Sequence, residues 1–189
     1  IESQLKANLK IIFECDHCEV RPISGTNANE AVFSRFVGPG DIVMVNSTPG
    51  GGHISHHRRG SLGKFTHNIV DFPLMPDGYH IDVEKSAYLI EKIRPKLIVL
   101  GKSLFLFPEP VAELASVCRQ THTLIMYDAA HVLGLIAGKR FQNPLKDGAW
   151  LMTASTHKTF CGSQRGVVWS NMEEEPRRKT DRGAFPGSS

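Results

Sequence analysis

Short apolar runs alternate with stretches whose apolar residues recur every three or four positions. Ile1, Leu5, Leu9 and Ile12 share one helical face, although no capping residue precedes them. Val20–Ile23 reads as a short extended stretch. Gly25 opens a helix with Asn27 and Glu30 in capping-box spacing and Ala28, Ala31, Val32 and Phe36 on its inner face, ended by Pro39-Gly40. Ile42–Asn46 and Asn68–Phe72 read as buried strands. Asp82 caps a helix with the stripe Val83, Ala87, Ile90 and Ile93, which Pro95 closes. Leu97–Leu100 is apolar throughout. Pro110 suits the first turn of a helix carrying Val111, Leu114, Ala115 and Cys118. Strands follow at Leu124–Tyr127, Trp150–Ala154 and Gly166–Trp169.

Strands apolar on both faces, separated by amphipathic helices, predict an α/β fold. They imply a three-layer α/β/α domain around a mainly parallel sheet. Residues 1–172 form that domain. The charge-dense Glu173–Arg182 begins a connector over 173–189. The uncapped start and the unfinished end at Phe185-Pro186-Gly187-Ser188-Ser189 predict a core belonging to a longer chain.

Composition narrows the function. Of 189 residues, 22 are Lys or Arg and 19 Asp or Glu, and a formal charge of +3 is too small to argue for a nucleic-acid partner. No apolar run approaches the ~18 residues that span a bilayer, so no membrane partner is expected. Cys15, Cys18, Cys118 and Cys161 are not needed as staples in a chain this apolar, which points to reduced thiols and a cytoplasmic location. Cys15-Asp-His-Cys18 has a metal-like spacing but no second pair at zinc-site distance, and no metal is assigned.

In parallel α/β sheets, ligands sit at the carboxyl ends of the strands. The polar residues just past each predicted strand are Ser24-Gly25-Thr26, the Gly50–His53 loop, Ser103, Asp128 with His131, and Thr156-His157-Lys158. A rim lysine in a partly desolvated place can form a Schiff base with an aldehyde, so Lys158 is a nucleophile candidate; a surface lysine is the plain alternative. A carboxylate ending an apolar strand needs a cation or several donors, which fits Asp128 to a protonated pyridine ring or to a helix cap. Ser24, Gly25 and Thr26 precede a helix N-terminus, where free N–H groups favour a phosphate. His53 follows three glycines and can stack on an aromatic ring. With His56 and His57 it also makes a histidine cluster that reads as exposed imidazoles or a zinc site.

These residues, in this order, resemble the serine hydroxymethyltransferase family. The likeness runs from about Cys18 to Gly187. It is carried by Pro22-Ile-Ser-Gly-Thr-Asn-Ala-Asn29, Gly51-Gly-His-Ile-Ser-His56, Gly78-Tyr-His-Ile-Asp82 and Arg94-Pro-Lys-Leu-Ile-Val-Leu-Gly101. Tyr127-Asp-Ala-Ala-His131, Gly134-Leu-Ile-Ala-Gly138 and Thr156-His-Lys-Thr159 complete it. The resemblance implies the large domain of the aspartate-aminotransferase-like fold and pyridoxal 5'-phosphate bound covalently to Lys158, with His157 beside it. It implies Asp128 on the pyridine nitrogen, His131 near the phenolic oxygen and His53 stacked on the ring. Ser24, Gly25 and Thr26 would hold the phosphate, and Ser103 would lie near the phenolic oxygen and the substrate carboxylate. His56 falls on a further active-site position.

The implied reaction interconverts serine, or a related β-hydroxy amino acid, and glycine by breaking or forming the Cα–Cβ bond. Tetrahydrofolate would exchange the one-carbon unit, in a homodimer with its active sites at the interface. Apolar Leu104-Phe-Leu-Phe107 after Ser103, and Ser163-Gln-Arg-Gly166 in place of Pro-Arg-Gly-Gly, depart from the family pattern on the second-substrate side. A folate-independent threonine aldolase or transaldolase, and a zinc-binding non-enzymatic protein, are the alternatives.

Overall fold

The computed structural model describes residues 1–171 and 181–184. Helix α1 (Glu2–Phe13) leads into strand β1 (His17–Glu19), then α2 (Gly25–Phe36), β2 (Val43–Val45) and β3 (Ile69–Asp71). Two 3-10 turns, Ile54–His56 and Leu62–Lys64, lie in the connection between β2 and β3. There follow α3 (Val83–Ile93), β4 (Leu97–Leu100), α4 (Val111–Thr121), β5 (Leu124–Asp128), α5 (Leu133–Ala137), α6 (Pro144–Asp147), β6 (Leu151–Ser155) and β7 (Gly166–Ser170).

One seven-stranded sheet takes the order β1-β7-β6-β5-β4-β2-β3. Strands β3, β2, β4, β5 and β6 run parallel, and β7 is antiparallel to both its neighbours. The carboxyl ends of β1, β2, β4, β5 and β6 therefore share one rim with the start of β7. No helix among the described residues is long and apolar enough to cross a membrane.

The unbroken apolar strands have a direct structural cause. Val43, Val45, Leu97, Val99, Met126, Leu151 and Val168 pack against Ala28, Val32 and Phe33 of α2. The intervening Met44, Ile98, Leu100, Ile125, Tyr127, Met152 and Trp169 face the opposite way, onto a core with Phe13, Ile90, Leu114 and Leu133. Both faces of each central strand are thus covered, which is the arrangement that removes polar positions from a parallel sheet. Trp169 and Phe13 meet with ring centroids 4.6 Å apart and anchor α1 over β7.

Three local expectations are corrected. The extended segment is His17–Glu19, one step before Val20–Ile23: it pairs with Ser170, Trp169 and Val168, while Ile23 is exposed. Glu19 closes that strand, its buried carboxylate accepting from the backbone N–H, Nε and Nη2 of Arg21. The start of α2 is capped by Ser24 rather than by Asn27 with Glu30. Ser24 Oγ accepts from the Asn27 N–H at 3.1 Å, and Asn27 Oδ1 accepts in return from the Ile23 N–H at 3.1 Å. Glu30 instead pairs with Lys64 across the surface. On the inner face of α2, Phe33 is fully buried where Phe36 is only half-buried. The Asp82 cap of α3 forms as expected, accepting from the Lys85 N–H at 3.0 Å. The domain boundary near residue 172 and nearly all of the charged connector lie outside the described residues. Of that connector, Asp181 is described, paired to His17 at 2.7 Å.

Candidate active site

A cleft of about 150 Å³ opens on the shared rim. Of the expected residues, Ser24, Gly25, Thr26, His53, Asp128, His131, His157 and Lys158 all border it, as does His56. Ser103 does not. Its backbone N–H donates to the Gly51 carbonyl at 2.7 Å and its side chain is exposed, while the preceding Lys102 borders the cleft instead. One residue of register separates them, and alternation along an extended segment sends their side chains to opposite sides.

Asp128 ends β5 and forms one buried wall of the cleft. Its Oδ2 accepts from His56 Nε2 at 2.9 Å and from Asn29 Nδ2 at 2.8 Å, and its Oδ1 from the Ala130 N–H at 3.0 Å. Thr153 donates to Asn29 Oδ1 at 2.6 Å, which turns the Asn29 amide so that its NH₂ faces the carboxylate. Burial alone would raise the Asp128 pKa. The His56 and Asn29 bonds and the Ala130 N–H outweigh it and hold the carboxyl well below the usual carboxylate range. Gly101 at the end of β4 makes this packing feasible, because a Cβ there would lie 2.6 Å from the Asp128 carbonyl oxygen.

The histidine cluster separates into three roles. His56 is fully buried on Asp128. His57 bonds the Asn46 carbonyl at 3.1 Å. His53 borders the cleft, its Nδ1 accepting from the Ser55 N–H at 3.1 Å, which leaves Nε2 as the protonated nitrogen of the neutral ring. No group of three or more His, Cys, Asp or Glu among the described residues is placed to hold a metal ion.

Burial, and then the neighbouring His56, hold the His53 pKa below the ordinary histidine value, with Lys158 adding to the effect. Burial, then Lys158, does the same for His131. Both imidazoles are therefore neutral near pH 7 and serve as acceptors or stacking faces rather than cations. His157 and Lys158 stand exposed on the turn after β6. The expected desolvation of Lys158 is thus absent among the described residues, since this turn lies outside the layers that cover the sheet. The turn is tied back through Thr159, whose Oγ1 donates to the His131 carbonyl and accepts from the Gly134 N–H, both at 3.2 Å. Gly134 permits that approach: a Cβ there would lie 2.2 Å from the Thr159 carbonyl oxygen.

Sequence reasoning missed Asn29, Thr153, Ser155, Gln164 and Lys102. Asn29, Ser155, Gln164 and Lys102 border the cleft, and Thr153 lies beneath it. The signal for three of them was present, as polar residues on faces otherwise wholly apolar. Asn29 interrupts the inner face of α2, and Thr153 and Ser155 interrupt the buried strand β6 on the α2 side. A polar group placed there must find a partner or await a ligand.

The family model for serine hydroxymethyltransferase matches residues 1–185. A serine hydroxymethyltransferase of Thermococcus onnurineus is 48% identical over 176 residues, covering 93% of this chain and 41% of the relative. Those of Archaeoglobus fulgidus and Methanosphaera stadtmanae are each 46% identical over 187 residues, covering 99% of this chain and 42% and 44% of the relatives. The chain spans about two fifths of the length of the curated relatives it matches. Because the match runs through every segment that contributes a side chain to the cleft, the chain belongs to the serine hydroxymethyltransferase family.

Proposed function

We propose that this protein transfers a hydroxymethyl group between serine and glycine. In this reading Lys158 holds pyridoxal 5'-phosphate, and tetrahydrofolate exchanges the one-carbon unit. The observation that carries the reading is a buried carboxylate, Asp128, kept ionised on the same cleft as the exposed primary amine of Lys158.

The residues present fit the cofactor. Ser155 Oγ is buried and has no hydrogen-bond partner among the described residues. It borders the cleft beside Gly25 and Thr26 at the start of α2, whose first N–H groups have no intrahelical acceptor. Ser24 Oγ accepts from Asn27 as a cap, which leaves its own proton free to donate. That these donors share one cleft supports reading them as the phosphate site. Among the described residues Asp128 Oδ1 accepts only the Ala130 N–H, at 3.0 Å, so it retains capacity for a ring N–H.

When bound, pyridoxal phosphate supplies a protonated ring that accepts electron density as a bond to the amino-acid Cα breaks. The chain's own contribution is positional and electrostatic. Asp128 would face the ring nitrogen with a negative charge that His56 and Asn29 hold in place. His53 would offer an imidazole face, and neutral His131 an acceptor, within the same cleft. Lys158 would be the amine that holds the cofactor. A cytoplasmic homodimer with its active sites at the interface belongs to the same reading. The free thiols of Cys15, Cys18, Cys118 and Cys161 support a reducing location.

The test is the absorption spectrum of the purified full-length protein. A cofactor band that disappears in Lys158→Ala, with serine cleavage dependent on tetrahydrofolate, is the expected result. A protein that takes up no pyridoxal phosphate overturns the proposal, and cleavage of a β-hydroxy amino acid at the same rate without folate turns it towards an aldolase or transaldolase.

A further inference from the structure

We propose that Lys102 is a positioning residue for His53, acting through the backbone of the glycine loop; the role of His53 itself rests on the function proposed above. Lys102 is 3% exposed, and an ammonium stays out of water only where its hydrogen bonds are replaced. Its Nζ lies 3.2 Å from Glu109 Oε1, donates to the Tyr79 carbonyl at 2.7 Å and sits 3.6 Å from the centroid of the Tyr79 ring. Glu109 is 4% exposed, and its other oxygen accepts from Asn46 Nδ2 at 2.9 Å.

The backbone of Lys102 forms a bridge with Gly52, the residue before His53. The adjoining N–H groups of Ser103 and Leu104 both donate to the Gly51 carbonyl, at 2.7 and 3.2 Å. On the other side, Asn46 accepts from the Gly101 N–H at 2.9 Å, and Gly101 packs on Asp128. One buried ion pair thus joins the segment carrying His53 to the segment that abuts Asp128. A buried pair adds little net stability over apolar residues of the same volume, so its contribution here is a fixed spacing. Lys102 also borders a second cavity, of about 230 Å³, shared with Tyr79, His80 and Glu109. That space gives the loop somewhere to move once the ammonium is removed.

The experiment compares the unsubstituted full-length protein with Lys102→Met, Glu109→Gln and the double variant. Three readouts are taken: amide hydrogen exchange without cofactor, affinity for pyridoxal phosphate, and the visible circular dichroism of the bound cofactor. Lys102→Met is expected to speed exchange at Gly52, Ser103 and Leu104 roughly tenfold while the amides of Val167–Ser170 stay unchanged. It is also expected to weaken cofactor binding roughly tenfold and to alter the dichroic band, which reports how the ring sits against its surroundings. Glu109→Gln, of the same shape, gives a smaller change in the same direction. If Lys102→Met does not fold, the double variant strands no charge and carries the same readouts. Exchange that is unchanged at the loop, or faster uniformly across the sheet, overturns the proposal, as does an unaltered dichroic band. Failure of the unsubstituted protein to bind pyridoxal phosphate would sink the function proposed above, and the exchange measurement would still decide whether Lys102 holds the loop.

Discussion

Asp128 and Lys158 border one cleft and are held in opposite ways. Asp128 is buried, accepts three hydrogen bonds, and has donors that are themselves oriented, Asn29 by Thr153. Lys158 is exposed and takes part in no ion pair among the described residues. The contrast suits the roles proposed above for the two groups. A charge that stabilises its partner by its position is most effective when it needs no rearrangement at the moment of reaction. An amine that must exchange its bond with an incoming amino group needs freedom instead.

Breaking each side should therefore give opposite signatures. Lys158→Ala should lower turnover on the order of 10⁴-fold or more, yet shift unfolding free energy by no more than about 0.5 kcal/mol, because an exposed side chain leaves nothing stranded. Steady-state kinetics and urea denaturation check the two halves of that statement. Asp128→Ala should do both kinds of damage. Removing the carboxylate leaves the His56 and Asn29 donors unpaired in the interior, at a cost of about 3 kcal/mol that a shifted urea midpoint would report. A fully stable Asp128→Ala protein would show that the buried network is not what holds this wall.

Smaller effects sharpen the same contrast. Ser155→Ala removes a hydroxyl that has no partner among the described residues, so stability should be unchanged or slightly higher, while pyridoxal phosphate affinity falls roughly tenfold, the equivalent of one hydrogen bond to a charged group. Titration calorimetry on the full-length protein measures it; unchanged affinity would remove Ser155 from the phosphate site.

The pH dependence of stability is the mildest test. His53 and His131 have pKa values lowered from 6.5, so the unfolded chain binds more protons just below that pH, and stability should fall as pH drops through 6.5. Asp128, lowered from 3.8, contributes stability that is complete above that value and lost as pH falls below it. Two separate losses are expected in a pH series of thermal unfolding, with the lower one reduced in Asp128→Asn and its remainder carried by the other carboxyls of lowered pKa, such as Glu14, Glu19 and Asp77.

The parts of the cleft that could be read in advance are those attached to strand ends. Asp128 follows Leu124–Tyr127 and Lys158 follows the run through Ser155, and a residue at the carboxyl end of a parallel strand has little choice of location. Ser103 shows the boundary of that logic, since being one residue out of register was enough to take it off the cleft. The cap of α2 shows another. Ser24 and Asn27 satisfied the same rule that Asn27 and Glu30 satisfied on paper, and Lys64, distant in sequence, drew Glu30 away.

The order of apolar runs and helical stripes, by itself, determined a sheet buried on both faces and the set of residues along its rim, because burial and periodicity are local properties of the chain. Tertiary structure alone decided which buried groups meet. Asp128 bonds Asn29 across 99 positions and His56 across 72, and Lys102, at the border of the cleft, pairs its ammonium with Glu109. A buried polar group takes whichever partner the packing brings within about 3 Å, and only the folded chain specifies that distance.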